Sequence, residues 1–351
     1  MIRMEQSMER IDILSMTKEE LTEWIVSLGE PKYRAAQIME WLVRGVGFSE
    51  MKNLPLPLRT KLEAHAYLAA AAPVKKLVSS DGTIKYLYRL HDGEAVETVF
   101  MRYQHGNTVC ISTEAGCPMG CAFCASTLKG LSRRLLPSEM LSQVIETQKD
   151  TGERISGIVL MGIGEPLDNY DNVIKFLHLV ASPDGLNIGY RHISLSTCGL
   201  VDKIQRLAKE NLPITLSISL HAADDETRSS LMPVNKKWNL EALLPACLDY
   251  FEKTKRRISF EYTLVEGKND RRADAQKLAD VLYRYCAGMP LHVNLIPVNP
   301  VRERGFQPSN QGSIRRFAEA LESRRITATV RRRLGSDIDA SCGQLRAASL
   351  E

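Results

Sequence analysis

The chain has 351 residues, room for one large domain and a smaller appendage but not for three domains. Its 44% hydrophobic and 25% charged content is that of an ordinary globular protein, and no run approaches the ~18 uninterrupted apolar residues of a membrane span. The formal net charge of +4 hides an asymmetry, because the stretch from Val301 to Arg346 carries ten Arg and no Lys against five acids. Guanidinium groups in that density suit phosphate contacts and base stacking, as an RNA partner requires, whereas the plainer reading is a solvated helix face. The opening MIRMEQSMERIDIL lacks the apolar core of a signal peptide, so the expected location is the cytoplasm, where thiols stay reduced.

In chain order, Thr17-Lys-Glu-Glu20 predicts a capping box opening a helix with Leu21, Trp24, Ile25 and Leu28 on one face. Pro31 predicts a second helix ending at Gly45, and Leu56 to Ala69 a third, giving an N-terminal helical accessory domain over 1–72. Its Lys32, Arg34, Arg44, Lys52, Arg59 and Lys61 suit either nucleic-acid contact or plain solvation. Over 73–106, short β-like runs around Asp81-Gly82 and Asp92-Gly93 predict a linking hairpin.

From Thr108, strand-like runs alternate with helical stretches through six β/α units, and ITATVRR supplies a last strand. The expected fold is therefore α/β, a partial (β/α)6 barrel over 107–346 with a C-terminal catalytic loop and a tail at 347–351. Ligands of such barrels gather at the C-terminal ends of the strands.

Cys117-Pro-Met-Gly-Cys121-Ala-Phe-Cys124 places three soft thiolates on one loop after the first strand, which suits an iron-sulfur cluster with one iron left open. Zinc competes, but a structural zinc site usually takes a fourth Cys or His nearby, and none follows. Cys247 and Cys286 sit in apolar helical patterns and read as core packing.

This CxxxCxxC spacing resembles the radical S-adenosylmethionine (SAM) superfamily. Val96-Glu-Thr-Val99, Cys110-Ile-Ser-Thr-Glu-Ala-Gly-Cys117, Met161-Gly-Ile-Gly-Glu-Pro166, Leu195-Ser-Thr197, Ser219-Leu-His-Ala222, Asn294-Leu-Ile-Pro-Val-Asn-Pro300 and Asp337-Ile-Asp-Ala-Ser-Cys-Gly-Gln344 narrow the resemblance to the RlmN/Cfr family. It spans about residues 17 to 346.

That family methylates adenosine in large-subunit ribosomal RNA. Glu165-Pro166 and Pro297-Val-Asn-Pro300 look like the RlmN branch, which acts on adenine carbon 2. The Cfr branch, acting on carbon 8, is the alternative, with a radical SAM enzyme for another substrate as a further one. The implied cofactors are a 4Fe-4S cluster on Cys117, Cys121 and Cys124 and two SAM molecules per turnover. The implied SAM site is Gly164, Glu165, Ser196, Ser219, Leu220, His221 and Asn299.

The resemblance makes Cys342 the methyl carrier, Cys110 the thiol that resolves the protein–RNA bond as a disulfide, and Glu97 the proton acceptor. Without it, Cys110 would read as a buried strand cysteine and Glu97 as an exposed strand acid. The implied partners are 23S rRNA as a protein-poor precursor and an electron donor such as flavodoxin or ferredoxin. Transfer RNA, modified 3′ of the anticodon by some RlmN proteins, is left as an option, and no membrane is involved.

Overall fold

The computed structural model describes residues 10–301, 303–338 and 345–346. The N-terminal module holds a short strand β1 (Ile11–Asp12), helices α1 (Lys18–Ser27), α2 (Arg34–Leu42) and α3 (Leu56–His65), and β2 (Ala66–Tyr67) parallel to β1. The capping box is present: Glu20 N–H donates to Thr17 Oγ1 at 3.2 Å and Thr17 N–H to the Glu20 carboxylate at 2.8 Å. The third helix stops four residues earlier than its composition suggested, because Ala66 and Tyr67 pair with β1 instead. Asp12 accepts from Ser138 Oγ at 2.6 Å, Lys149 Nζ donates to Gly45 O at 2.8 Å, and Lys175 pairs with Glu20, so the module sits on the helices described next.

The main sheet has ten strands. Segment 73–106, expected as a linking hairpin, is not a linker. Strands β3 (Ala72–Val78), β4 (Ile84–Arg89) and β5 (Ala95–Tyr103) run antiparallel into β6 (Gly106–Cys110) and extend the sheet itself. The turns at Gly82 and Gly93 are where the sequence placed them.

Beyond β6 a small hairpin of β7 (Glu114–Gly116) and β8 (Leu131–Arg134) leads to α4 (Pro137–Thr151). The alternation then follows as expected: β9 (Ile155–Leu160), α5 (Tyr170–Ala181), β10 (Ile193–Thr197), α6 (Val201–Glu210), β11 (Thr215–Ser219) and the pair α7 (Asp225–Leu231) and α8 (Leu240–Thr254). It ends with β12 (Ile258–Leu264), α9 (Arg272–Tyr285), β13 (His292–Pro297), α10 (Gln311–Glu322) and β14 (Thr327–Val330). The main sheet runs in the order β14-β13-β12-β11-β10-β9-β6-β5-β4-β3, and within it every pairing from β6 through β9 to β14 is parallel.

The period of two along these strands separates two chemistries. Leu195, Leu216, Phe260 and Val293 are fully buried in the apolar core. On the opposite face, Ser196, Ser217 and Ser259 lie in register, as do Ser219, Glu261, Asn294 and Thr329. Hydrogen bonds join the second row: Asn294 Nδ2 donates to Glu261 at 2.7 Å and Thr329 Oγ1 to Asn294 Oδ1 at 3.2 Å. A polar inner face prepares a ligand site rather than a packed barrel centre. Among the described residues no helix is long and apolar enough to cross a membrane.

Candidate active site

The cysteine loop lies between β7 and β8. Gly116 enters it at φ +91°, and a Cβ there would stand 2.0 Å from the Gly130 carbonyl oxygen, so the two strands close tightly only over glycine. Cys117 N–H donates to that same carbonyl at 3.0 Å, and Thr127 Oγ1 holds the carbonyls of Cys121 and Cys124 at 3.2 and 3.0 Å. All three thiols line one cavity of about 220 Å3 at the C-terminal ends of the strands.

Burial pushes the Cys117 thiol well above its ordinary range and the Cys121 thiol up to about 12, with neighbouring thiols adding to both. Thiolates so desolvated need a cation, and metal ligation supplies one. Among the described residues no three such side chains converge on a single ion. A polynuclear cluster takes one thiolate per iron and so fits this donor set better than one zinc does.

The same cavity is lined by Gly164 and Glu165 from the turn after β9, Ser196 from β10, and Ser219 and His221 from the end of β11 and just beyond it. Gly164 has φ +113°, and a Cβ on it would press to 2.7 Å from Glu114 Cβ. Glu165 is buried, accepting N–H bonds from Cys198 at 2.7 Å and Leu167 at 3.0 Å. These two bonds hold the turn after β9 in place.

His221, at φ +58°, accepts the Thr263 N–H at Nδ1 (3.0 Å), which leaves the proton on Nε2. Burial lowers its pKa to about 3, so the ring is a neutral donor at physiological pH.

Two expected SAM residues stand elsewhere. Leu220 is fully buried outside the cavity lining, and its carbonyl accepts from Arg228 Nε at 3.1 Å. Asn299 lines a second cavity, of about 450 Å3, which shares Met161, Gly162, Ile296 and Arg331 with the first. Glu97 and Cys110 lie on this second cavity with Tyr103 and Arg331 to Arg333. Burial pushes the Cys110 thiol up to about 11, with Arg331 pulling the other way. Cys342 lies outside the described residues.

Three contributors escaped the sequence reading. Glu261 lines the first cavity from mid-strand β12, where it resembles any alternating strand acid. Arg228 is fully buried and donates to the carbonyls of Cys198 (2.8 Å), Ser219 (3.3 Å), Leu220 and Trp238, tying the ends of β10 and β11 together. Glu114 accepts the Glu165 N–H at 2.8 Å, and burial pushes its carboxyl up to about 8. A charged residue inside an apolar run was the available signal for Glu261 alone.

The C-terminal arginines do not form one patch. Arg315 and Arg324 pair with Glu319 and Asp280 on the outer helices, and Arg346 is buried. Arg331, Arg332 and Arg333 are exposed at the cavity mouth and are the candidates for RNA backbone. Replacing all three with Gln is expected to weaken RNA binding and flatten its log–log salt dependence by about two units, from ~0.7 per lost phosphate contact on a single strand. An unchanged slope in a binding titration would make them structural.

Comparisons with known proteins agree with this geometry. Residues 111–279 match the family model described as the radical SAM superfamily, and residues 11–68 match the ribosomal RNA large subunit methyltransferase N-terminal domain. The chain is 52% identical over 346 residues to the probable dual-specificity RNA methyltransferase RlmN of Alkaliphilus oremlandii, covering 98% of this chain and all of that one. It is 49% identical over 338 residues to the protein so named from Clostridium tetani, covering 96% of each. A crystal structure of a radical SAM methyltransferase from Sphaerobacter thermophilus superposes with a TM-score of 0.91 at 41% identity, covering 96% of this chain and 99% of that one. With a superfamily core, a matching N-terminal module and near-complete alignment, the chain belongs to the radical SAM superfamily and, within it, to the RlmN family.

Proposed function

We propose that this chain is an RNA methyltransferase that places a methyl group on carbon 2 of an adenosine in 23S rRNA, and in tRNA beside the anticodon, by way of Cys342. The observation that carries this reading is a shared wall: the cavity holding the three cluster thiols adjoins the one holding Glu97, Cys110 and the exposed arginines.

Adenine carbon 2 lies between two ring nitrogens and is no nucleophile, so it cannot take a methyl group by simple displacement. Bound SAM supplies the methyl group and, once reduced by one electron, a hydrogen-abstracting radical. Cys117, Cys121 and Cys124 would hold the cluster, and the polar inner face would orient SAM. His221 and Glu165 are fixed at the cavity by the backbone bonds described above.

Cys342 carries the methyl group as a thioether; one of its hydrogen atoms would be taken by the SAM-derived radical, the remaining carbon bonds to adenine carbon 2, and the odd electron would return to the cluster that Cys117, Cys121 and Cys124 would hold. Cys110 Sγ then attacks the Cys342 sulfur, so a sulfur–sulfur bond forms as the sulfur–methylene bond breaks. Glu97 takes the hydrogen of adenine carbon 2 as a proton, the released methylene carbon gains one, and an external reductant returns both thiols. A base deep in a cavity must be splayed out of its stack to reach these groups.

The test is anaerobic turnover with SAM, a reducing system and transcripts of 23S rRNA domains and of tRNA, followed by nucleoside mass spectrometry. We expect 2-methyladenosine. A product that is 8-methyladenosine throughout moves the chain to the Cfr reading, and SAM cleavage without any methylated nucleoside rejects an RNA substrate.

A further inference from the structure

Lys85 on β4 is 1% exposed, a depth at which lysine is rare unless paired. Its Nζ donates to Glu97 Oε2 at 3.0 Å, and Glu97 is itself 2% exposed. Register makes the two diagonal neighbours: Lys85 pairs across with Val99, and Glu97 with Leu87. Glu97 and Val99 line the second cavity, whereas Lys85 is not in its lining and meets the carboxylate from within the sheet. The other oxygen, Oε1, accepts the backbone N–H of Arg346 at 2.6 Å, and the Arg346 guanidinium donates to the Ala95 carbonyl at 2.8 Å and to Glu94 at 2.9 Å.

Resting on the reading of Glu97 as the proton acceptor, we propose that Lys85 is a positioning residue for it. The ammonium fixes one carboxylate oxygen and balances its charge in the buried wall, while the Arg346 N–H fixes the other. An isolated buried carboxylate would either swing toward water or demand a partner, and removing one member of such a pair leaves an uncompensated charge. Held at both oxygens, the carboxylate keeps one orientation toward the cavity that also holds Cys110. Arg346 follows Cys342 by four residues, so the same carboxylate bonds a backbone group four positions beyond the methyl carrier.

The test compares Lys85→Met, Lys85→Arg and Glu97→Gln in cluster-loaded full-length protein, with RNA deuterated at adenine carbon 2. We expect Lys85→Met to lower kcat ~10- to 100-fold, reaching at most the lower end of what general acid–base catalysis contributes because Glu97 itself is kept, with KM for RNA changed less than about twofold. A carbon 2 hydrogen isotope effect should appear as proton removal becomes slow, and Lys85→Arg should restore most of kcat. Lys85→Met at wild-type kcat and isotope effect, with Glu97→Gln impaired, overturns the role of Lys85 alone. Full turnover in Glu97→Gln overturns the proton-acceptor reading and this role with it. If Lys85→Met does not fold, Lys85→Gln takes its place: a carbon 2 isotope effect above the wild-type value supports positioning, and one equal to it, with Glu97→Gln impaired, opposes it.

Discussion

Cys110→Ala is expected to stop turnover after carbon–carbon bond formation, leaving RNA covalently joined to the protein. The joined species should survive denaturing gels and vanish in the Cys110→Ala, Cys342→Ala double variant. Cys342→Ala alone should keep its cluster but show no methyl on protein or RNA. The expectation follows from the order of bond making, since Cys110 acts on the Cys342 sulfur only once the adenine carbon is attached. The Cys110 thiol, pushed up to about 11 by burial, is mostly protonated at neutral pH, so resolution should quicken with rising pH until the thiolate predominates. Absence of adduct in Cys110→Ala, with Cys342 methylated and SAM cleaved normally, would return Cys110 to the role of a packed strand cysteine.

Cys121→Ala should have an equally complete effect. Its loss takes one of three thiols from a site with no spare, so iron should fall from about four per chain toward none and the broad visible absorption with it. SAM cleavage should fall below detection. Substituting Cys247 or Cys286, both fully buried in the apolar core away from the cavity, should leave iron content unchanged and affect stability only. A Cys121→Ala protein with its full iron would mean that the loop is not the metal site.

The cysteine loop was legible because its thiols are close in sequence: three cysteines at a fixed spacing come to one cavity without long-range help. The capping box on Thr17 and Glu20 and the strand–helix alternation from Thr108 were legible for the same reason, since each is decided within a few residues. The run KYLYRL around Lys85 was not. Its alternation resembles a strand with one face in water, yet Lys85, Tyr86, Leu87 and Tyr88 are all buried, because α4 covers the face where Tyr86 and Tyr88 bond Asp150 and Thr147, and the other face holds the Lys85–Glu97 pair. Arg228, in the polar helix DETRSSL, reads as a surface residue and is instead a fully buried tie between strand ends.

The sequence by itself determined the family and the α/β class, and supplied the candidate cluster thiols and the candidate groups for the chemistry. Only the tertiary structure decided how those groups are shared out. It put Asn299 on the cavity of Glu97 and Cys110 rather than among the thiols, split the C-terminal arginines among ion pairs, a buried tie and a cavity mouth, and turned an expected linker into three strands of the main sheet. The physical reason is that spacing and side-chain type fix local conformation and ligand chemistry, whereas burial and charge pairing depend on which distant strands become neighbours.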